Sequence, residues 1–350
     1  MSSHLLLHFS GDPIVKEAVD SQLQRESGWS RKSSTALECE KILQTVNESN
    51  FFPTLDNCFN YEASKRLEMP KLKKAAKALV ADKFRNEANL KASQMELQGA
   101  LANLLAEEEV DMEWKSTIFS VPRGVMAWAA RAATNSLASP DNLARWRKII
   151  HPKCPLCSNS PCNLGHLLSN CQEALTRYEW RHNNIVNYLN ELFSSQRLDG
   201  VKLYADLDGC RVNGVTIPAD IAMTGQKPDL VIINRAASPP EVRLVELTVP
   251  WDTAGNMKKA FDRKTDRYQD LCKDIEQQGF KCFNMPLEVG VRGFIDKRNK
   301  GLLSHLCNIM KIRKVSEVTR KCSKLALLGS FTIWNARHSS DWTSGGFLKP

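Results

Sequence analysis

The sequence predicts a mixed α/β protein: a helical N-terminal region, a small cysteine-rich knuckle, a mixed-sheet core and a helical C-terminal tail. Three observations predict it. Apolar residues make up 42% and charged residues 25% of the 350-residue chain, proportions that can fill a core. Helical periodicity dominates the first third and the end of the chain, whereas β-branched segments cluster between residues 201 and 249. One helical segment then separates these from a last strand-like run, and packed layers are the natural way to bury that order. The expected boundaries are 1–150 for a helical, linker-like domain, 151–172 for the knuckle, 173–295 for the core and 296–350 for the tail.

The elements follow in chain order. Residues Thr35 to Val46 carry apolar side chains near helical spacing, and Leu72 to Glu109 is rich in the strong helix formers Ala, Leu, Lys and Glu. Pro70 and Pro122 punctuate this region. His4 and His8 lie four apart and would share a helix face, but they stand at a terminus. From Lys153 to Cys171 the composition turns abruptly to Cys, Pro, Asn and Gly. A helix is expected from Glu173 to Phe193, then three or four strands among Val201 to Leu207, Gly214 to Ala222, Asp229 to Asn234 and Arg243 to Val249. Helical periodicity returns from Asn256 to Gln278, Phe280 to Val291 reads as a further strand, and a helical tail runs from Lys300 to about Leu328. No internal repeat is present.

No apolar run approaches the roughly 20 residues that span a bilayer, so no membrane association is expected. His4 to Phe9 is too short for a signal peptide and has no basic flank. The 11 cysteines are therefore expected in a reducing compartment, where disulfides do not explain them. The net charge is +9. Residues 296 to 350 hold eleven Lys or Arg against three Asp or Glu, a net +8, so nearly all the excess sits in the tail. Such a surface suits a polyphosphate partner, because each neutralised phosphate releases counterions. The same charge would also fit a solvated helix face.

Cys154 and Cys157 leave two residues between thiols, and His166 and Cys171 follow. Four soft or borderline ligands at this spacing suit tetrahedral Zn²⁺ in a structural role, with no open position for chemistry. Cys162 lies inside the loop and competes for the role without a partner at ligand spacing. The plainer reading is a set of buried cysteines beside a helix-capping histidine.

Lys227-Pro228-Asp229 places a carboxylate at the mouth of an apolar strand, and Glu246 sits inside the next one. Alternation puts Val245, Leu247 and Val249 on one face and Glu246 and Thr248 on the other. An acid in so apolar a strand is costly unless it is paired or holds a metal. Two acids on neighbouring strands suit Mg²⁺, which activates water and offsets phosphodiester charge. On the following helix, Phe261, Lys264, Tyr268, Leu271 and Ile275 trace one face. Lys264 thus stands on an apolar stripe, where it either snorkels outward or reaches a charged site.

Pro228-Asp229 followed by Glu246 resembles the PD-(D/E)XK nuclease core, although Thr248 stands where that motif usually has lysine. The chain resembles more closely the restriction-like endonucleases of site-specific non-LTR retrotransposons. Their lysine sits on the next helix with a tyrosine four residues later, as Lys264 and Tyr268 do. Their Cys-Cys-His-Cys knuckle lies just upstream, like Cys154, Cys157, His166 and Cys171, and an Arg-His-Asn triplet follows it, like Arg181, His182 and Asn183. Glu246-Leu-Thr-Val-Pro250 and Leu287-Glu-Val-Gly-Val-Arg-Gly293 also resemble the family, and the likeness runs from about residue 120 to the C-terminus.

The resemblance implies a nuclear DNA endonuclease that nicks a target site. Asp229 and Glu246 would ligate Mg²⁺, Lys264 would stabilise the transition state or orient water, and Tyr268 would support it. The knuckle, Arg181, His182, Asn183 and the tail with Arg313 and Lys314 would hold DNA or the element's RNA, although His182 also fits a satisfied core histidine. No Asp-Asp pair occurs, so the polymerase signature of such elements is absent. Two other functions compete: a non-catalytic nucleic-acid-binding module of the same fold, and a zinc-stapled protein whose N-terminal helices bind another chain.

Overall fold

The computed structural model describes residues 112–342 apart from 212–213, together with 81–82, 84–95 and 99. The chain divides into two compact units, Met1–Ala92 and Ser93–Pro350. In the first, the described residues 81–82 and 84–92 are helical and almost all exposed. They fall within the helix expected from Leu72 to Glu109. Thr35 to Val46, His4 and His8 lie outside the described residues.

The second unit is mixed α/β. From Met112 onward its described elements are α1 (Met112–Phe119), α2 (Arg123–Ala133) and the short α3 (Pro140–Arg145), whose N-terminal amide at Asn142 is capped by Ser139. After the cysteine-rich loop come α4 (Leu175–Ser194), β1 (Val201–Ala205), β2 (Leu230–Asn234) and β3 (Glu241–Thr248). Helix α5 (Ala254–Gln277) then leads to β4 (Lys281–Glu288), and α6 (Lys297–Ile309) and α7 (Val315–Asn335) close the unit. Thr253 caps α5 through Asn256 N, and Asp296 caps α6 through Asn299 N. Among the described helices, none is long and apolar enough to cross a membrane.

The four strands lie in chain order, β1-β2-β3-β4. The first three pair antiparallel and β4 joins β3 in parallel. A parallel neighbour demands a crossover, which α5 supplies. Strand β3 is buried along nearly all its length, as a strand covered on both faces must be. Val245 and Leu247 enter a core with Ile185, Leu189, Leu306, Cys322 and Ala326, contributed by α4, α6 and α7. Val242 and Leu244 meet Tyr268, Leu271 and Ile275 of α5 on the other face. The alternation read from the sequence around Glu246 is the alternation observed.

Three of the four β-branched segments form strands, and the other does not. Gly214 to Ala222 is irregular, with a single bridge at Val215. Its apolar residues mimic a strand because Ile217 and Ile221 plug the core beside Val231 and Tyr268. Pro218 in the middle removes a ladder donor. The basic tail is likewise more than a charged appendage. It forms two helices whose apolar faces, including Leu303, Leu306, Val318 and Cys322, complete the core, while Lys311, Arg313, Lys314 and Arg320 stay exposed.

The segment Leu287 to Gly293 has a packing explanation. Asp252 is fully buried and accepts from the backbone N–H of Arg292 at 3.0 Å, while Arg292 also donates to Asp252 O at 2.7 Å. A Cβ on Gly290 would stand 2.4 Å from the Asp252 carboxyl carbon. Gly293 turns the chain at φ +84°, with the Ser323 carbonyl where a side chain would go. The Arg292 guanidinium lies 4.3 Å from the Trp251 ring centroid, so the loop is held by buried charge and stacking together.

Candidate metal centre and carboxylate site

The cysteine-rich loop brings Cys154, Cys157, His166 and Cys171 together, with one ligand atom from each and all four within 4.8 Å of one another. The Cys154 and Cys171 sulfurs are 3.8 Å apart, and Cys157 Sγ is 3.3 Å from His166 Nε2. Metal–sulfur bonds of about 2.3 Å in a tetrahedron give sulfur–sulfur edges of about 3.8 Å, so this donor set fits a tetrahedral ion. Burial lowers the His166 pKa and favours the neutral imidazole that a metal needs. Burial pushes the Cys171 thiol up to about 12. For Cys154 burial raises the thiol pKa, but hydrogen bonds from the Cys157 and Leu156 backbone amides and with the Cys157 and Cys171 thiols together bring it below the ordinary value. Cys162, which the sequence left as a competitor, is not among the four. It is buried and serves through its backbone, donating to Pro152 O and accepting from Asp141 N.

The loop is anchored to α4. Tyr178 donates to the carbonyls of His166 and Leu167, each at 3.0 Å, and accepts from Cys171 N. Leu164, Leu167 and Leu168 share a core with Trp128 and Ala132 of α2 and with Leu327 and Ile333 of α7. The knuckle is thus built into the unit.

Arg181 was expected to touch nucleic acid, and the structure corrects that. Its residue surface is 2% exposed, and its guanidinium donates to Leu168 O and Ser330 Oγ, both at 2.9 Å, and to Val249 O at 3.4 Å. Arg181 therefore ties the knuckle, the exit of β3 and α7 to α4. Burial depresses its pKa to about 10. Arg177, one turn earlier, caps the end of α7 through Ala336 O, and the sequence reading missed it. Arg313 and Lys314 are exposed in the turn before α7, and Lys314 pairs with Glu317 at 3.0 Å.

The second cluster lies where β2 begins and β3 ends. The residue surface of Glu246 is 4% exposed. Lys264 of α5 donates to Glu246 Oε1, and Tyr268 donates to Oε2 at 2.8 Å. The backbone N–H of Asp229 also reaches Oε2, at 3.3 Å. Arg267, which the sequence reading did not single out, stands 3.8 Å from Oε1 on the exposed side. Burial and the adjacent Glu246 raise the Tyr268 pKa, so the phenol remains a donor. Lys264 thus resolves to the charged-site alternative.

Asp229 Oδ2 accepts from Leu247 N at 2.7 Å and lies 3.1 Å from His182 Nε2. That nitrogen is also 3.2 Å from Leu247 O, and His182 Nδ1 is 2.9 Å from Asn183 Oδ1. Burial opposes the imidazolium, but the Asp229 hydrogen bond and charge outweigh it and raise the pKa to about 9. His182 is thus a partly buried histidine with both ring nitrogens engaged. The Glu246 carboxylate has protein donors on both oxygens.

No protein-family model matches the chain, and no curated protein matches it in sequence.

Proposed function

We propose that the chain is a metal-dependent DNA endonuclease, related to the restriction-like enzymes of site-specific non-LTR retrotransposons that it resembles, with structural zinc in its Cys-Cys-His-Cys knuckle. The observation that carries this reading is that Glu246 of β3 gathers Lys264 and Tyr268 of the crossover helix and the backbone N–H of Asp229, whose own carboxylate lies beside Leu247 N and His182 at the entrance of β2. A buried strand gains nothing for folding from this set that apolar residues would not supply more cheaply.

In this reading Asp229 and Glu246 hold Mg²⁺ or a similar divalent ion. Such an ion supplies a water of lowered pKa and neutralises charge on the phosphodiester. Lys264 brings a positive charge to the scissile phosphate and steadies Glu246. Tyr268 fixes the other Glu246 oxygen, so the carboxylate keeps one orientation. Arg267, half exposed beside Glu246, attracts the nucleic-acid backbone. Arg313, Lys314 and the other exposed cations of α6 and α7 extend the binding surface over DNA or RNA, in a nuclear setting.

One observation favours a second reading, a nucleic-acid-binding module without catalysis. Both Glu246 oxygens are engaged by protein donors, which is how a site retired to a structural role would look. Cleavage and band-shift of one labelled duplex with Mg²⁺, compared between wild type and Asp229→Ala, separates the two. Cleavage by the wild type alone, with equal shifts, supports the enzyme. Equal shifts with no cleavage by either support the binding module.

A further inference from the structure

The triplet Arg181-His182-Asn183 places an imidazole where the carboxylate site is open, and its geometry defines what that imidazole can do. Asn183 Oδ1 is an acceptor 2.9 Å from His182 Nδ1, so Nδ1 carries a proton. Nε2 then faces two oxygens, Asp229 Oδ2 at 3.1 Å and Leu247 O at 3.2 Å. A bare nitrogen lone pair aimed at two oxygens is repulsive, so a cation belongs between them, either a proton or a metal ion. Adjacent ligands of an octahedral ion with bonds of about 2.1–2.2 Å lie about 3.0–3.1 Å apart, close to both measured separations. A ligating histidine also typically donates its other ring N–H to an oxygen, the part Asn183 plays here.

We propose that His182 Nε2, Asp229 Oδ2 and the Leu247 carbonyl form the primary divalent-metal site, with Asn183 orienting the imidazole. This rests on the metal-dependent reading above and changes its content. Glu246 becomes a partner of Lys264 and Tyr268, next to the ion, and the ion's ligands come from α4, the start of β2 and the backbone of β3. An imidazole ligand moves preference from Mg²⁺ towards transition ions such as Mn²⁺ or Co²⁺, whose affinity for nitrogen donors is higher. The His182 side chain is 23% exposed and that of Asp229 is 13% exposed, so solvent reaches the site.

The test is Mn²⁺ titration of the full zinc-loaded chain, followed by electron paramagnetic resonance, with spin-echo modulation reporting nitrogen on the ion. Wild type is expected to bind one Mn²⁺ with imidazole nitrogen coupling, and about tenfold more tightly than Mg²⁺. His182→Ala should lose the nitrogen signal and the preference for Mn²⁺, and Asn183→Leu should weaken Mn²⁺ binding about tenfold. Zinc content and circular dichroism show that each variant is folded, and the wild-type nitrogen signal requires no variant at all. Tight Mn²⁺ binding without nitrogen coupling would overturn the role of His182 while leaving a carboxylate site in place. No Mn²⁺ binding by wild type would overturn the metal-dependent reading itself.

Discussion

The Lys264 ammonium donates to Oε1 of Glu246, joining the crossover helix to a carboxylate in the middle of a strand buried on both faces. The lysine on an apolar helix stripe and the glutamate in a buried strand each meet their counter-charge in the other. Removing one partner leaves an uncompensated charge, which typically costs more than the pair gains.

Lys264→Met is therefore expected to lower unfolding free energy by about 3 kcal/mol, read from urea midpoints. The double variant Lys264→Met with Glu246→Leu should recover more than half of that loss. Equal destabilisation of single and double variants would show that the pair is not what holds this region.

Arg181 and Arg313 should separate stability from binding. Arg181→Ala removes a buried guanidinium with three protein acceptors, and a loss of about 3 kcal/mol is expected. Arg313→Ala lies on the surface and should change stability by less than about 0.5 kcal/mol. It should instead weaken DNA binding and reduce the salt slope by about one ion. Fluorescence anisotropy across a salt series reads the second effect.

Metal removal should unfold more than a loop. Three of the four ligands, Cys154, Cys157 and Cys171, share a core with α2 and α7, and a structural zinc contributes on the order of 10 kcal/mol. Chelation, or Cys157→Ser, is expected to abolish zinc content and the near-ultraviolet signal of Trp128 and Trp334. Retention of that signal without metal would place the stability elsewhere.

Glu288 gives the pH dependence. Burial pushes its carboxyl up to about 7, against the opposing pull of Arg298, compared with an ordinary 4.5. Between those values the folded chain holds a proton that the unfolded chain releases. Stability from this group is complete below pH 4.5 and is lost as pH rises through about 7. Urea midpoints of Glu288→Gln should fall less over that window than those of wild type.

Much of this was legible because certain residues are anomalous for their surroundings. A lysine on an apolar helix stripe, a glutamate in a Val-Leu strand and four metal-type ligands within 18 residues announce themselves locally. What stayed hidden depends on distant partners. Arg181 reads as a surface cation until Ser330, 149 residues away, is seen to accept from it. Asp252 and Arg292 meet across 40 residues. Gly214 to Ala222 misled because alternating apolar residues serve a core plug as well as a strand.

The most direct test of the central claim is nicking of supercoiled plasmid by the purified chain with Mg²⁺ or Mn²⁺, beside Asp229→Ala. The account predicts open-circular product from wild type only, with both proteins binding the plasmid and retaining zinc. Binding without nicking by either protein, with either ion, would contradict it and leave a nucleic-acid-binding module in its place.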